Sequence, residues 1–225
     1  MTIDSIDAAR QRLAQVRDTL DTMAQVAGRQ LADVTLVAIS KTQAVEAIAP
    51  LIAAGQRVFG ENRVQEAQAK WPALREAHPD IALHMVGQLQ SNKAEEAVTL
   101  FDAIHGVDRP SLVGALTRAM DHADRRPDCF VQVNIGDEEQ KGGCAVIDLP
   151  ALLAEARAAA LPVVGLMCVP PADVEAAPYF ALLGKLARDH GLPLLSMGMS
   201  QDYETAVMLG ATHVRIGTAL FGTRG

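Results

Sequence analysis

Val34-Thr35-Leu36-Val37-Ala38-Ile39-Ser40 is an apolar, β-branched run that stops abruptly at Lys41. A run without polar alternation fits a strand buried on both faces, as in a parallel sheet covered by helices. Further short runs of this kind lie near 57–59, 81–87, 101–107, 129–135, 163–169, 193–197 and 212–216. The intervals between them carry helical periodicity: Val64, Ala67, Trp71 and Leu74 share one face, and Leu112, Leu116 and Met120 form a core stripe. Strands joined by helical crossovers run parallel, and eight such units close into a barrel without an exposed edge. The expected fold is therefore α/β, a single (β/α)8 TIM barrel, with a doubly wound open sheet as the alternative.

Upstream of the first strand, Ile6, Leu13, Val16, Leu20 and Met23 recur at helical steps among polar residues. This predicts an extra N-terminal amphipathic helix at about 4–27. No repeat and no Pro/Gly/Ser linker divides the chain, so residues 1–225 read as one domain.

Hydrophobic residues make up 49% and charged residues 21%, an ordinary soluble globular composition. A net charge of -7 argues against nucleic acid as the main partner, because that affinity comes largely from Lys and Arg neutralising phosphates. No stretch approaches the ~20 apolar residues of a membrane span. Cys129, Cys144 and Cys168 are odd in number, dispersed and without a CxxC, which reads as reduced, packed thiols in a cytoplasmic protein. The acidic start, Met1-Thr-Ile-Asp-Ser-Ile-Asp7, is unlike a secretory signal.

In such a barrel the functional face is the C-terminal end of the strands. Lys41 stands there, either as a surface lysine closing the first strand or as an amine that can form a Schiff base with an aldehyde. Thr42-Gln43 is a plausible start for the following helix. Asn62, in Phe59-Gly-Glu-Asn62, reads either as a helix N-cap or as a donor to a bound ring. His84 either faces the site or packs in the core. Ser200 closes Ser196-Met-Gly-Met-Ser200 and can cap a helix starting near Gln201, reach a phosphate, or do both. Gly217-Thr218 opens a further helix, whose free N–H groups suit phosphate. Arg215, flanked by Val214 and Ile216, needs a carboxylate partner or a place in the barrel mouth. An aldehyde-accepting amine beside hydroxyls and glycine amides is the chemistry of a pyridoxal 5'-phosphate (PLP) site. The loop Gly136–Gly143 reads as mobile, with Lys141 either a solvated loop lysine or a participant in cofactor exchange. The other histidines, including His105 and His213, show no metal-ligand spacing.

Ser40-Lys41-Thr42, Phe59-Gly-Glu-Asn62, Val64-Gln-Glu66, Gly87, Leu89-Gln-Ser-Asn-Lys93, Gly165-Leu-Met167, Ser196-Met-Gly-Met-Ser200 and Val214-Arg-Ile-Gly217 closely resemble the pyridoxal phosphate homeostasis protein family. That family is also called the proline synthetase co-transcribed family, and the match runs from about residue 34 to Gly222. The resemblance implies an alanine-racemase-like barrel with Lys41 as the Schiff-base lysine, Ser200, Gly217 and Thr218 near the phosphate, and Arg215 near the ring nitrogen. It also implies a monomeric cytoplasmic carrier or regulator of PLP, with PLP-dependent apoenzymes as partners. Two positions depart from the family pattern: Arg63 stands where an aromatic residue is common, and Gln88 where Pro is common.

Alanine racemases resemble this barrel but add a C-terminal domain that supplies a tyrosine as second acid/base. Racemisation by two bases needs proton donors on both faces of the carbanion, and one lysine serves one face. Tyr179 and Tyr203, both in helical segments, are not obvious counterparts. The expectation is a carrier or buffer rather than an enzyme. A weakly active racemase-like enzyme, a class I aldolase and a phosphate-binding barrel with a non-covalent ligand are the other readings.

Overall fold

A computed structural model describes residues 5–222. The strands are β1 (Thr35–Ile39), β2 (Val58–Glu61), β3 (Ala82–Met85), β4 (Ala103–Val107), β5 (Asp128–Gln132), β6 (Val163–Met167), β7 (Leu194–Ser196) and β8 (His213–Ile216). All pair parallel and in chain order, and β8 returns to β1 with Val37 opposite Arg215. Closure excludes the open-sheet alternative. Each apolar run named from the sequence overlaps one of these strands, though β2 runs two residues beyond its run and β5 begins one residue before its own.

Around the barrel lie α1 (Ile6–Val26), α2 (Val45–Ala53), α3 (Val64–Ala77), α4 (Ala94–Leu100), α5 (Pro110–Ala123), α6 (Leu149–Ala158), α7 (Ala177–Asp189), α8 (Tyr203–Met208) and α9 (Thr218–Phe221). The helix expected at about 4–27 is α1, capped by Ser5 Oγ accepting the Ala8 N–H at 3.1 Å; Asp4 lies outside the described residues. Its buried stripe is Ala9, Leu13, Val16, Leu20 and Ala24, whereas Ile6 is exposed and Met23 only partly buried. The small alanines allow close approach to the barrel. Arg12 Nε donates to Leu220 O at 2.7 Å and Arg29 Nη1 to Ala211 O at 2.9 Å, tying the N-terminal segment to both sides of β8.

The layer between strands and helices is apolar, with Phe59 and Trp71 in ring contact and the Leu112, Leu116 and Met120 stripe fully buried. The lumen is different. His213 on β8 lies 5.1 Å, centroid to centroid, from Phe130 on β5 and 5.8 Å from His105 on β4, while His105 lies 5.1 Å from His84 on β3. Since β8 does not neighbour β4 or β5 in the barrel, these rings meet across the interior. Burial, then the nearby His213, pushes His84 down to about 3. Burial, then Arg215, pushes His213 down to about 4. His105 is also held well below its ordinary value, by burial and then by His84, His213 and Arg215. All three rings are therefore neutral near pH 7.

The turn from β1 to α2 departs from expectation. Thr42-Gln43 does not begin a helix: Thr42 has φ 62 and α2 begins at Val45. A left-handed conformation in a β-branched residue costs on the order of 1–3 kcal/mol, so something must hold it. Lys70, brought from α3 and nearly buried, donates to Ser40 O at 2.8 Å and Gln43 O at 3.2 Å, one on each side of the bend. The same ammonium meets Glu61 Oε1 at 2.8 Å and Glu66 Oε1 at 3.0 Å. Glu61 Oε1 also accepts from Ser40 Oγ at 2.5 Å and Trp71 Nε1 at 2.9 Å, and Glu66 accepts the Thr42 N–H. Burial opposes ionisation of Glu66, but the bonds from Lys70 and Thr42 and the Lys70 charge hold its carboxyl below the usual range. Lys41 thus projects from a bend clamped by buried ionic contacts.

Two outcomes follow from these contacts. Lys70→Met leaves Glu61 buried without its cation and should lower the unfolding free energy by about 3–5 kcal/mol in urea melts, with Glu61→Gln added in the double variant restoring part of it. A loss below about 1 kcal/mol, typical of an exposed pair, would contradict the clamp. The lumen histidines have folded values below 6.5, so below that pH the unfolded chain binds protons that the folded lumen refuses. Stability should then fall as pH drops from 6.5 to 5, with each of these histidines contributing up to about 1.4 kcal/mol per pH unit. Urea midpoints that stay flat across that window would contradict neutral burial.

Candidate functional site

A cavity of about 490 Å³ opens among residues that follow β1, β2, β3, β6, β7 and β8, which places it at the C-terminal ends of the strands. Its size is that of a small-molecule site. Lys41, Asn62, Ser200, Arg215, Gly217 and Thr218 all line it, so six of the seven residues singled out from sequence come together there. Ile39, Gln43, Val86, Val169, Gln201 and Asp202 complete much of the wall.

Each of the six arrives by its own local route. Lys41 is half-buried on the clamped bend, and among the described residues its ammonium has no hydrogen bond or ion pair. Asn62 does not cap α3, since Arg63 occupies the N-cap position. Gly87 packs against the Asn62 backbone so closely that a Cβ there would stand 2.4 Å from Asn62 O; only glycine lets the chain after β3 pass and hold Asn62 on the wall.

Ser200 does not cap a helix at Gln201. The helix α8 starts at Tyr203, and Asp202 Oδ1 accepts the Met199 N–H at 2.6 Å, closing the turn and leaving Ser200 on the cavity. The bend runs through Gly198 at φ 93, where a Cβ would stand 2.6 Å from that of Ala206. After β8, the first intrahelical donors of α9 are Leu220 and Phe221, both bonded to Gly217 O. The Thr218 and Ala219 N–H groups therefore lack an intrahelical partner. With only four residues, α9 offers local amides rather than a strong macrodipole.

Arg215 forms part of the cavity lining and is 5% exposed. Its guanidinium donates from Nη1 to Ser196 Oγ at 2.6 Å and from Nη2 to Cys168 O at 2.8 Å, and it forms no ion pair among the described residues. Burial lowers its pKa, opposed by Cys168 and Asp202. Cys168 itself is pushed up to about 12 by burial and stays a thiol. His84, the seventh residue, is not on the wall: it lies in the lumen, linked to Arg215 only through His105 and Ser196. Those two were missed in the sequence. A polar residue within an otherwise apolar run, as in Leu194-Leu195-Ser196-Met197 and Ala103-Ile104-His105, is the signal that marks them.

Arg63 and Gln88 line a second concavity of about 530 Å³, which shares Asn62 with the first, and neither lines the Lys41 cavity. Arg63 and Gln88 thus stand apart from the lining of the Lys41 cavity. Lys141 is not a solvated loop lysine. It pairs with Glu138 at 2.6 Å and donates to Pro170 O at 2.8 Å, while Gln132 Nε2 anchors the loop at Gly142 O, 2.9 Å. Tyr179 and Tyr203, on α7 and at the start of α8, do not line the cavity. Among the described residues no group of three or more His, Cys, Asp or Glu could hold a metal ion, and no helix is long and apolar enough to cross a membrane.

The donor set fits PLP. A primary amine without a partner meets the need of the aldehyde, hydroxyls and unbonded amides that of the phosphate, and a buried cation without a carboxylate that of a ring nitrogen acceptor. The sequence matches the alanine racemase N-terminal domain over residues 11–225. It is 41% identical over 221 residues to the pyridoxal phosphate homeostasis protein of Pseudomonas aeruginosa, covering 95% of each chain. The fold is similar to that of PipY from Synechococcus elongatus, solved without PLP (TM-score 0.84, 39% identity, 95% of this chain and 99% of that one). It is also similar to PipY solved with PLP bound (TM-score 0.80, 38% identity, 95% and 100%). With a relative of 41% identity matching nearly its whole length and solved relatives of the same fold, the chain belongs to the pyridoxal phosphate homeostasis protein family.

Proposed function

We propose that this chain binds PLP through Lys41 and carries or buffers it within the cytoplasm as a monomeric, single-domain protein, without turning substrates over. One observation carries the reading: an amine and a buried guanidinium, neither with an ion-pair partner among the described residues, line the same cavity. Bound there, PLP supplies an aldehyde that condenses reversibly with a primary amine and releases water. Lys41 provides that amine, held by the Lys70 clamp. Ser200, Thr218 and the amides at Gly217-Thr218 hold the phosphate, and Asn62 donates to a ring substituent. Arg215 presents a permanent cation to the ring nitrogen, which disfavours its protonation and leaves the ring a weaker electron sink than one facing an acid.

The wall also supports holding over turnover. Two-base racemisation needs a second proton donor opposite Lys41, and the two tyrosines lie off the wall. Cys168, held as a thiol by burial, cannot serve as a base near neutral pH and does not line the cavity. The family to which the chain belongs is named for homeostasis of the cofactor, and a relative of 38% identity has been solved with PLP bound. PLP-dependent apoenzymes are the natural recipients of such a carrier.

Borohydride reduction of the PLP-loaded protein, followed by peptide mapping, should fix the label on Lys41. Lys41→Ala should lose the fixed label yet keep weaker, phosphate-anchored binding in equilibrium dialysis; an undiminished label would contradict the assignment. Arg215→Glu should weaken retention and shift the spectrum of the bound cofactor toward a protonated ring, and an unchanged affinity and spectrum would count against that role. Mixing the loaded protein with a cofactor-free acceptor enzyme should restore the acceptor's activity, whereas no restoration would favour storage over delivery.

A further inference from the structure

Beneath the cavity, Arg215, Ser196, His105 and His84 form a hydrogen-bonded series in the lumen. Arg215 Nη1 lies 2.6 Å from Ser196 Oγ, Ser196 Oγ 2.8 Å from His105 Nδ1, and His105 Nε2 3.1 Å from His84 Nδ1. Ser196 and His105 are fully buried. The direction of every bond follows from the first, because a guanidinium has only donors. Ser196 Oγ must accept from Arg215, and the acceptor within reach of its own proton, among the described hydrogen bonds, is His105 Nδ1. His105, accepting at Nδ1 while neutral, carries its proton on Nε2 and donates it to His84 Nδ1. His84 then carries its own proton on Nε2. The reverse tautomer of His105 would aim a second donor at the serine oxygen and strand the serine proton in a buried lumen, at a cost of about 1–3 kcal/mol.

The His105 ring is itself fixed. It stacks on Phe130 with centroids 4.3 Å apart and planes 23° from parallel. We infer that His105 is a positioning residue for Arg215: by taking the Ser196 proton it commits the serine oxygen to the guanidinium, and together with Cys168 O this sets the guanidinium plane at the cavity. Serine alone would rotate its hydroxyl freely. A carboxylate in its place would fix the arginine but neutralise it, whereas this neutral chain orients the cation and leaves its charge for a ligand. The benefit to the ring nitrogen rests on the PLP reading; the orientation of Arg215 does not.

The test begins on ligand-free protein. Long-range ¹⁵N NMR should show His105 protonated at Nε2 and bare at Nδ1, and the two Nη groups of Arg215 should give separate resonances because rotation about Nε–Cζ, which exchanges them, is hindered. In Ser196→Ala, which removes a single oxygen, the Nη resonances should merge and the His105 Nδ1 signal should move. PLP affinity supplies the second readout. His105→Phe keeps the stacking but removes the acceptor, and should weaken PLP binding by about threefold to tenfold, as loss of a neutral hydrogen bond does. His105→Asn, whose Oδ1 can still take the serine proton, should stay near wild type. Protonation of His105 at Nδ1, merged Nη resonances in the wild type, or equal PLP affinity in the Ser196→Ala, Asn and Phe variants would overturn the proposal. Should His105→Phe fail to fold, Ser196→Ala decides alone. A wild type that does not bind PLP would overturn the cofactor reading, while the Arg215 resonances would still judge the positioning claim.

Discussion

Burying a guanidinium without a carboxylate is the constraint around which the rest of this molecule is arranged. Among the described residues, Arg215 has only a serine hydroxyl and a backbone carbonyl as hydrogen-bond partners, and it lines a cavity. A charge in that position is costly unless it is hydrogen-bonded and finally matched by a ligand. The neutral histidines below satisfy that requirement from the protein side, since a protonated ring in the lumen would add a second uncompensated charge. The unusual lumen and the cavity are thus two halves of one electrostatic arrangement.

The neighbouring strand end, after β1, meets a different demand. A lysine that is to react must be exposed to its ligand and free of partners, yet held in place. The chain resolves this by assigning the ionic contacts to Lys70, Glu61 and Glu66, which grip the backbone on both sides of Lys41 and leave its amine alone. The positive φ of Thr42 is the local strain that this grip sustains. The β1–β8 pairing brings the two strand ends together by placing Val37 beside Arg215.

Much of this was legible in the sequence because its signals are local. Apolar runs marked every strand, and strand ends bearing Lys41, Asn62, Ser200 and Arg215 marked the wall. What was hidden depends on residues far apart in the chain. Nothing near Thr42 announces the bend, because its cause, Lys70, lies on α3. Asn62 and Ser200 read as caps because their types favour caps, but the true N-cap positions fall one and two residues later, at Arg63 and Asp202. His84 read either as facing the site or as packing in the core because it lies near a strand end; side-chain alternation turns it inward to meet His105, from another strand. Lys141 read as solvated because its loop is polar, whereas Glu138 and the Pro170 carbonyl hold it down.

The most direct test is a crystal structure of the protein grown with excess PLP. Electron density should run without a break from the Lys41 Nζ into the cofactor, with the phosphate at Ser200 and Thr218 and the ring nitrogen facing Arg215. Density joined to another side chain, or a ring turned so that Arg215 meets no acceptor, would contradict the account.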